Sequence, residues 1–112
     1  MPRYAYQLRI REGCEAEYDR RHIAVWPDLL RDLADAGVRE YSIFRRGQQL
    51  FLYLHCDSLE AFLQRMTTSD ANARWQAMMA DVFEPVPDLA AGEQFAMMPE
   101  VFYMPGHPKD TE

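Results

Sequence analysis

Cysteine is scarce in this chain: two occur among 112 residues, Cys14 and Cys56, and they form no Cys-x-x-Cys unit. A disulfide framework or a zinc knuckle therefore has no support, and both thiols are expected to be reduced. No apolar run approaches the roughly 18 residues of a membrane span, and the opening Met-Pro-Arg-Tyr-Ala-Tyr-Gln-Leu lacks the apolar stretch of a secretory signal. The expected location is the cytoplasm, with no membrane partner. Positive charge is short as well. Twelve Lys plus Arg stand against 18 Asp plus Glu, a formal net charge of −6, and no basic cluster exceeds a dipeptide such as Arg20-Arg21 or Arg45-Arg46. Phosphate backbones require a concentrated positive field, so nucleic acid is not an expected partner.

The chain also lacks the glycine patterns of nucleotide folds and the Gly-x-Ser-x-Gly of hydrolase elbows. Its histidines, His22, His55 and His107, show no pair at metal-ligand spacing, so no metal or other cofactor is expected. Length alone excludes two-domain and (β/α)8 architectures. An independent fold of this size buries only about 60 to 70% of its unfolded surface, which leaves little interior for both a core and a private pocket. A partner subunit would relieve that shortage.

What is present alternates clearly. Tyr4, Tyr6, Leu8 and Ile10 fall on one face of a strand from Arg3 to Ile10. Gly13 ends it, and the acidic stretch Glu15 to Glu17 opens a helical segment in which Tyr18, His22, Val25, Leu29, Leu33 and Ala36 follow a three-or-four spacing. Pro27 has no amide hydrogen, which predicts a break near Val25 and Trp26 and a helix restarting at Pro27, with Gly37 as its left-handed cap. Val38 to Arg45 and Gln49 to His55, joined by Arg46-Gly47-Gln48, read as a hairpin. A helix capped by Ser58 runs to Met66, and a second runs from Ser69 or Asp70 to about Phe83. Five prolines crowd the last 28 residues, within which Glu100 to Met104 reads as a short strand.

The order β, α, β, β, α, β predicts an α+β, ferredoxin-like antiparallel sheet with both helices on one face. One domain covers residues 1–105, followed by a disordered tail over 106–112. The aromatics are generous for a single covered sheet face, so a second copy stacking on the open face, a homodimer closed into an α/β-barrel assembly, is expected.

By residue type, acid and base chemistry is what remains. Tyr18 and His22 are four apart on a helix and so present a phenol and an imidazole from one face. Imidazole is the side chain whose unperturbed charge change falls near neutrality. Each residue also has a plain structural reading: His22 as a half-buried ring satisfied by a neighbour, Tyr18 as aromatic packing, Trp26 and Trp75 as core rather than a stacking wall for a ring-shaped ligand, Arg20 and Arg21 as solvated helix charges. Spacing alone leaves both readings open.

The run Tyr18-Asp19-Arg20-Arg21-His22-Ile23-Ala24-Val25-Trp26-Pro27 resembles the signature of the L-rhamnose mutarotase family, in which a Tyr, an Arg-His pair and a Trp-Pro pair occur at this spacing. Gly37 through Tyr41 and Ile43 resembles the family's second strand. Ser69-Asp70 followed by Trp75 resembles its third-helix motif, and Glu100-Val101-Phe102-Tyr103-Met104-Pro105 its closing strand. The resemblance spans residues 3 to 105. It implies a cofactor-free isomerase that interconverts the anomers of a 6-deoxyhexose on a dimeric ferredoxin-like scaffold. It further implies His22 as proton donor, Tyr18 and Tyr41 as substrate-binding tyrosines, and Trp75 as the first of two adjacent tryptophans lining the sugar site. The second of those positions is Gln76 here. An amide in place of an aromatic face bears on which 6-deoxy sugar is taken, L-rhamnose or L-fucose, more than on the reaction. A non-catalytic dimeric sugar-binding module is the alternative from another class, since this architecture hosts many functions. Small oxygenases and haem-degrading enzymes on similar dimeric sheets are a third; they would need a haem-liganding histidine or a quinone-like substrate.

Overall fold

The computed structural model describes residues 3–87, 89 and 95–106. The elements follow in the order β1 (Arg3–Ile10), α1 (Glu15–Arg21), α2 (Pro27–Asp35), β2 (Val38–Arg46), β3 (Gln49–Cys56), α3 (Leu59–Thr68), α4 (Asp70–Met79), β4 (Phe83–Glu84) and β5 (Ala96–Met98). The sheet runs β2-β3-β1, and the outer edge of β1 is shared by β4, opposite Arg9 and Ile10, and β5, opposite Ala5 to Gln7. Every pairing is antiparallel. This is the ferredoxin-like order, with the fourth strand position divided between two short pieces.

Alternation assigns the two sheet faces. Tyr6, Ile10, Leu50, Leu52, Leu54 and Cys56 are buried beneath the helices. Their neighbours Ala5, Gln7, Phe51, Tyr53 and His55 point to the other side, where Phe44 is 62% and Phe51 41% exposed. Gly47 and Gln48 make the two-residue hairpin turn, with Gly47 at φ 59°, a conformation that favours glycine at the first turn position. Gly37 caps α2 at φ 91°, a left-handed conformation in which any side chain would be strained. Ser58 caps α3, its hydroxyl accepting the Ala61 amide hydrogen at 3.2 Å.

Three boundaries differ from the sequence expectations. The helical break begins at His22 rather than at Val25. A continuing helix would pair the Tyr18 carbonyl with the His22 amide; instead that amide bonds the Asp19 carbonyl at 3.2 Å, and the Tyr18 carbonyl accepts from the His22 ring. Second, α4 stops at Met79, short of Phe83. Arg21 takes the Met78 carbonyl at 3.0 Å and pairs with Asp81, satisfying the helix end while the chain turns so that the Val82 carbonyl accepts from Arg11 and Phe83 joins β1. Third, the closing strand is Ala96–Met98, and Glu100 to Met104 is irregular and exposed. Pro99 has no amide hydrogen and restricts Met98, so pairing ends there. Beyond it the chain is tied to β1 by Arg3, which pairs with Glu100 at 2.9 Å and stacks over the Tyr103 ring at 3.4 Å. His107 and the expected tail, apart from Gly106, lie outside the described residues.

Candidate active site

Helix α1 ends in a way that aims a functional group. The His22 ring stacks on Tyr18 with centroids 4.2 Å apart, and its Nδ1 lies 2.9 Å from the Tyr18 carbonyl oxygen. A carbonyl only accepts, so Nδ1 carries the hydrogen and the neutral ring keeps Nε2 as its acceptor. Nε2 has no protein partner among the described residues. Arg20 and Arg21 do not share this duty. Glu17 bridges both, and Arg21 reaches on to the Met78 carbonyl at the end of α4 and to Asp81 beyond it, so the pair are structural ties.

His22 borders a cavity of about 610 Å³ between the helices and the covered sheet face, a size suited to enclosing a small molecule. Tyr18, Tyr41, Trp75 and Gln76 line the same cavity, so all five residues singled out from the sequence converge on one space. Trp75, from α4, sets its ring edge-on to His22 at 5.4 Å. Gln76 stands at the exposed side of α4, its Nε2 donating to Asn72 Oδ1 at 3.4 Å. Leu8, Leu29, Leu33, Ile43 and Leu52 supply apolar wall.

Trp26 does not line the cavity. It packs edge-on behind Trp75 at 5.2 Å, with the Arg74 guanidinium 5.5 Å from its ring, so it buttresses the wall rather than forming it. His55 faces the opposite side of the sheet beside Glu40, 3.5 Å away, and takes no part in the cavity. Sequence reasoning missed Tyr6, Asn72, Glu84 and Phe95, which line the cavity too. Tyr6 had a signal, since it alternates onto the covered face; its contact with Tyr41 did not. The Tyr6 and Tyr41 hydroxyls are 2.6 Å apart, one donating to the other.

Burial raises the pKa of all three phenols: Tyr18 is pushed above the ordinary tyrosine range chiefly by desolvation, with the nearby Tyr6 phenol and Asp19 carboxylate adding to the rise. Tyr41 is pushed well above it, chiefly by desolvation, and Tyr6 is raised by desolvation against the opposing effect of its bond to Tyr41. At neutral pH all three keep their protons and serve as neutral hydrogen-bonding groups rather than bases. Among the described residues the cavity's one carboxylate, Glu84, is engaged through Oε1 by Arg9 at 2.7 Å and Gln48 at 3.1 Å. Among the described residues no group of three or more His, Cys, Asp or Glu is placed to hold a metal. No described helix is long and apolar enough to cross a membrane.

The family model described as L-rhamnose mutarotase matches residues 3–104. A relative named L-rhamnose mutarotase from Opitutus terrae is 37% identical over 93% of this chain and 99% of its own length. One of the same name from Phocaeicola vulgatus is 35% identical over the same shares. The crystal structure of an L-rhamnose mutarotase from Formosa agariphila superposes with a TM-score of 0.76 at 29% identity, covering 94% of this chain and all of that one. A polyketide cyclase from Streptomyces glaucescens shares the fold alone, at 16% identity and a TM-score of 0.56.

Proposed function

Because the chain belongs to the L-rhamnose mutarotase family, we infer that it interconverts the α and β anomers of L-rhamnopyranose, with His22 as the proton carrier. The observation that supports this most is the His22 ring itself: Nδ1 is fixed on the Tyr18 carbonyl, and Nε2 has no partner among the described residues at the wall of a cavity large enough to admit a sugar. In the protonated ring, Nε2–H delivers its proton to the ring oxygen as the C1–O5 bond breaks. The anomeric hydroxyl loses its proton to a second acceptor and becomes the aldehyde oxygen. Rotation about C1–C2 presents the other carbonyl face. Reclosure returns the proton to Nε2, and the new anomeric oxygen regains its own. The neutral phenols of Tyr18 and Tyr41 orient hydroxyls, Trp75 packs on the apolar C–H face of the sugar, and Gln76 offers an amide at the rim.

Anomer exchange followed by saturation-transfer NMR on L-rhamnose, L-fucose and D-glucose tests this directly. The expected order is L-rhamnose first, L-fucose slower and D-glucose unaccelerated. Fastest exchange on L-fucose would move the assignment to that sugar. Binding without acceleration of any of them would favour a sugar-binding module.

The working unit in this account is a homodimer in the cytoplasm, built from one domain over residues 1–105. Support comes from the open sheet face, where Phe44, Phe51 and Met98 are exposed around a shallow hollow of about 320 Å³. Both cysteines are free thiols, in keeping with a reducing compartment. Sedimentation at micromolar concentration is expected to give the dimer mass; a monomer would contradict it.

A further inference from the structure

Tyr6 and Tyr41 stand on strands that are not neighbours. β3 lies between those strands, which therefore run about 10 Å apart, twice the strand spacing. Tyr6 is opposite Leu52 and Tyr41 opposite Leu54, and the two phenols meet above that leucine row on the covered face, inside the cavity. Side chains shorter than a phenol would not close that span. The resulting hydroxyl contact, at 2.6 Å, crosses the floor of the site rather than holding two adjacent strands together.

The two phenols carry two hydrogens, and the contact uses one of them. Whichever hydroxyl donates, the other hydrogen remains for a cavity ligand, and an oxygen that accepts from its neighbour becomes a stronger donor in turn. An isolated Tyr41 would leave its hydroxyl free to turn. Tied to Tyr6, its direction is set. Tyr6 is itself well held, since β1 pairs with β3 on one side and with β4 and β5 on the other, and its ring packs against Phe95 at 5.1 Å.

We propose that Tyr6 is a positioning residue for the sugar site, acting through its hydroxyl bond to fix the direction in which Tyr41 meets a sugar hydroxyl. This deepens the mutarotase assignment and rests on it. It makes Tyr41 and Tyr6 one recognition unit, with Tyr6 the member that nothing in the motif spacing reveals.

The test is a double-mutant cycle over Tyr6→Phe, Tyr41→Phe and the double variant, each measured for L-rhamnose exchange by NMR and for L-rhamnose affinity by quenching of tryptophan fluorescence. Tyr6→Phe keeps the ring and its packing and loses one hydrogen bond, so its melting temperature is expected to fall by no more than about 8 °C, while kcat/KM falls about tenfold with the larger part in KM. In the double variant the loss is expected to equal that of Tyr41→Phe alone within about twofold, because Tyr6 has nothing left to act through. Wild-type kinetics in Tyr6→Phe, or losses that multiply in the double variant, would overturn the proposal. If wild type binds L-rhamnose without exchanging it, the mutarotase assignment fails, and the same cycle read in affinity still decides the coupling. If it neither binds nor exchanges the sugar, both fail.

Discussion

His22→Ala is expected to slow anomer exchange of L-rhamnose by about 10²-fold or more, the range that a positioned proton carrier contributes, with the fold intact. His22 is half-buried at the C-terminal end of α1, and its ring contacts are the Tyr18 face and the Trp75 edge. Removing the ring therefore deletes the proton carrier and one side-chain bond to the Tyr18 carbonyl without opening the core cluster beneath. His22→Asn separates the two roles. Its amide hydrogen is able to occupy the Tyr18 carbonyl, but it offers no titrating nitrogen, so exchange is expected to stay as slow as in the alanine variant. Exchange within about threefold of wild type in either variant would remove His22 from the mechanism.

Trp75→Ala is expected to have the largest effect on stability among the cavity residues. Trp75 is 7% exposed and belongs to the main core cluster together with Ile10, Leu52 and Met79. Truncating a buried tryptophan costs about 3 to 5 kcal/mol through lost transfer energy and the cavity left behind. At about 4 to 8 °C per kcal/mol for a domain of this size, the melting temperature is expected to fall by well over 10 °C. Trp26, which leans on Trp75 edge-on, would lose its support as well. Trp75→Phe retains much of the buried area and is expected to remain folded while weakening sugar binding, which separates the wall's contact with the sugar from its part in the core. A melting temperature within about 5 °C of wild type in Trp75→Ala would show that α4 is held by other contacts.

Much of this arrangement is legible in the sequence because it rests on local rules. Alternation in Arg3–Ile10 identifies the covered face of β1, Pro27 dictates where α2 begins, and Gly13, Gly37 and Gly47 mark three positions where the backbone turns with positive φ. Spacing puts Tyr18 and His22 together, and the structure stacks them. The closing strand is not legible in the same way. Glu100 to Met104 has the better β composition, whereas Ala96–Met98 wins because it lies alongside the free edge of β1 before Pro99 ends the pairing. Strand propensity reports a fit to neighbours, and the neighbours are set by topology. The Tyr6 and Tyr41 contact is hidden for the same reason: the residues are 35 apart in sequence and two strands apart in the sheet. Trp26 carries the motif as strongly as Trp75, yet only the packing of α2 against α4 reveals which indole faces the cavity.

His22 works through Nε2 because Nδ1–H is held by the Tyr18 carbonyl. Long-range proton–nitrogen NMR of the His22 ring tests it most directly. The expected result is the Nδ1–H tautomer in the neutral ring and a change in the Nε2 resonance when L-rhamnose is added. An Nε2–H tautomer, or an Nε2 resonance indifferent to the sugar, would contradict it.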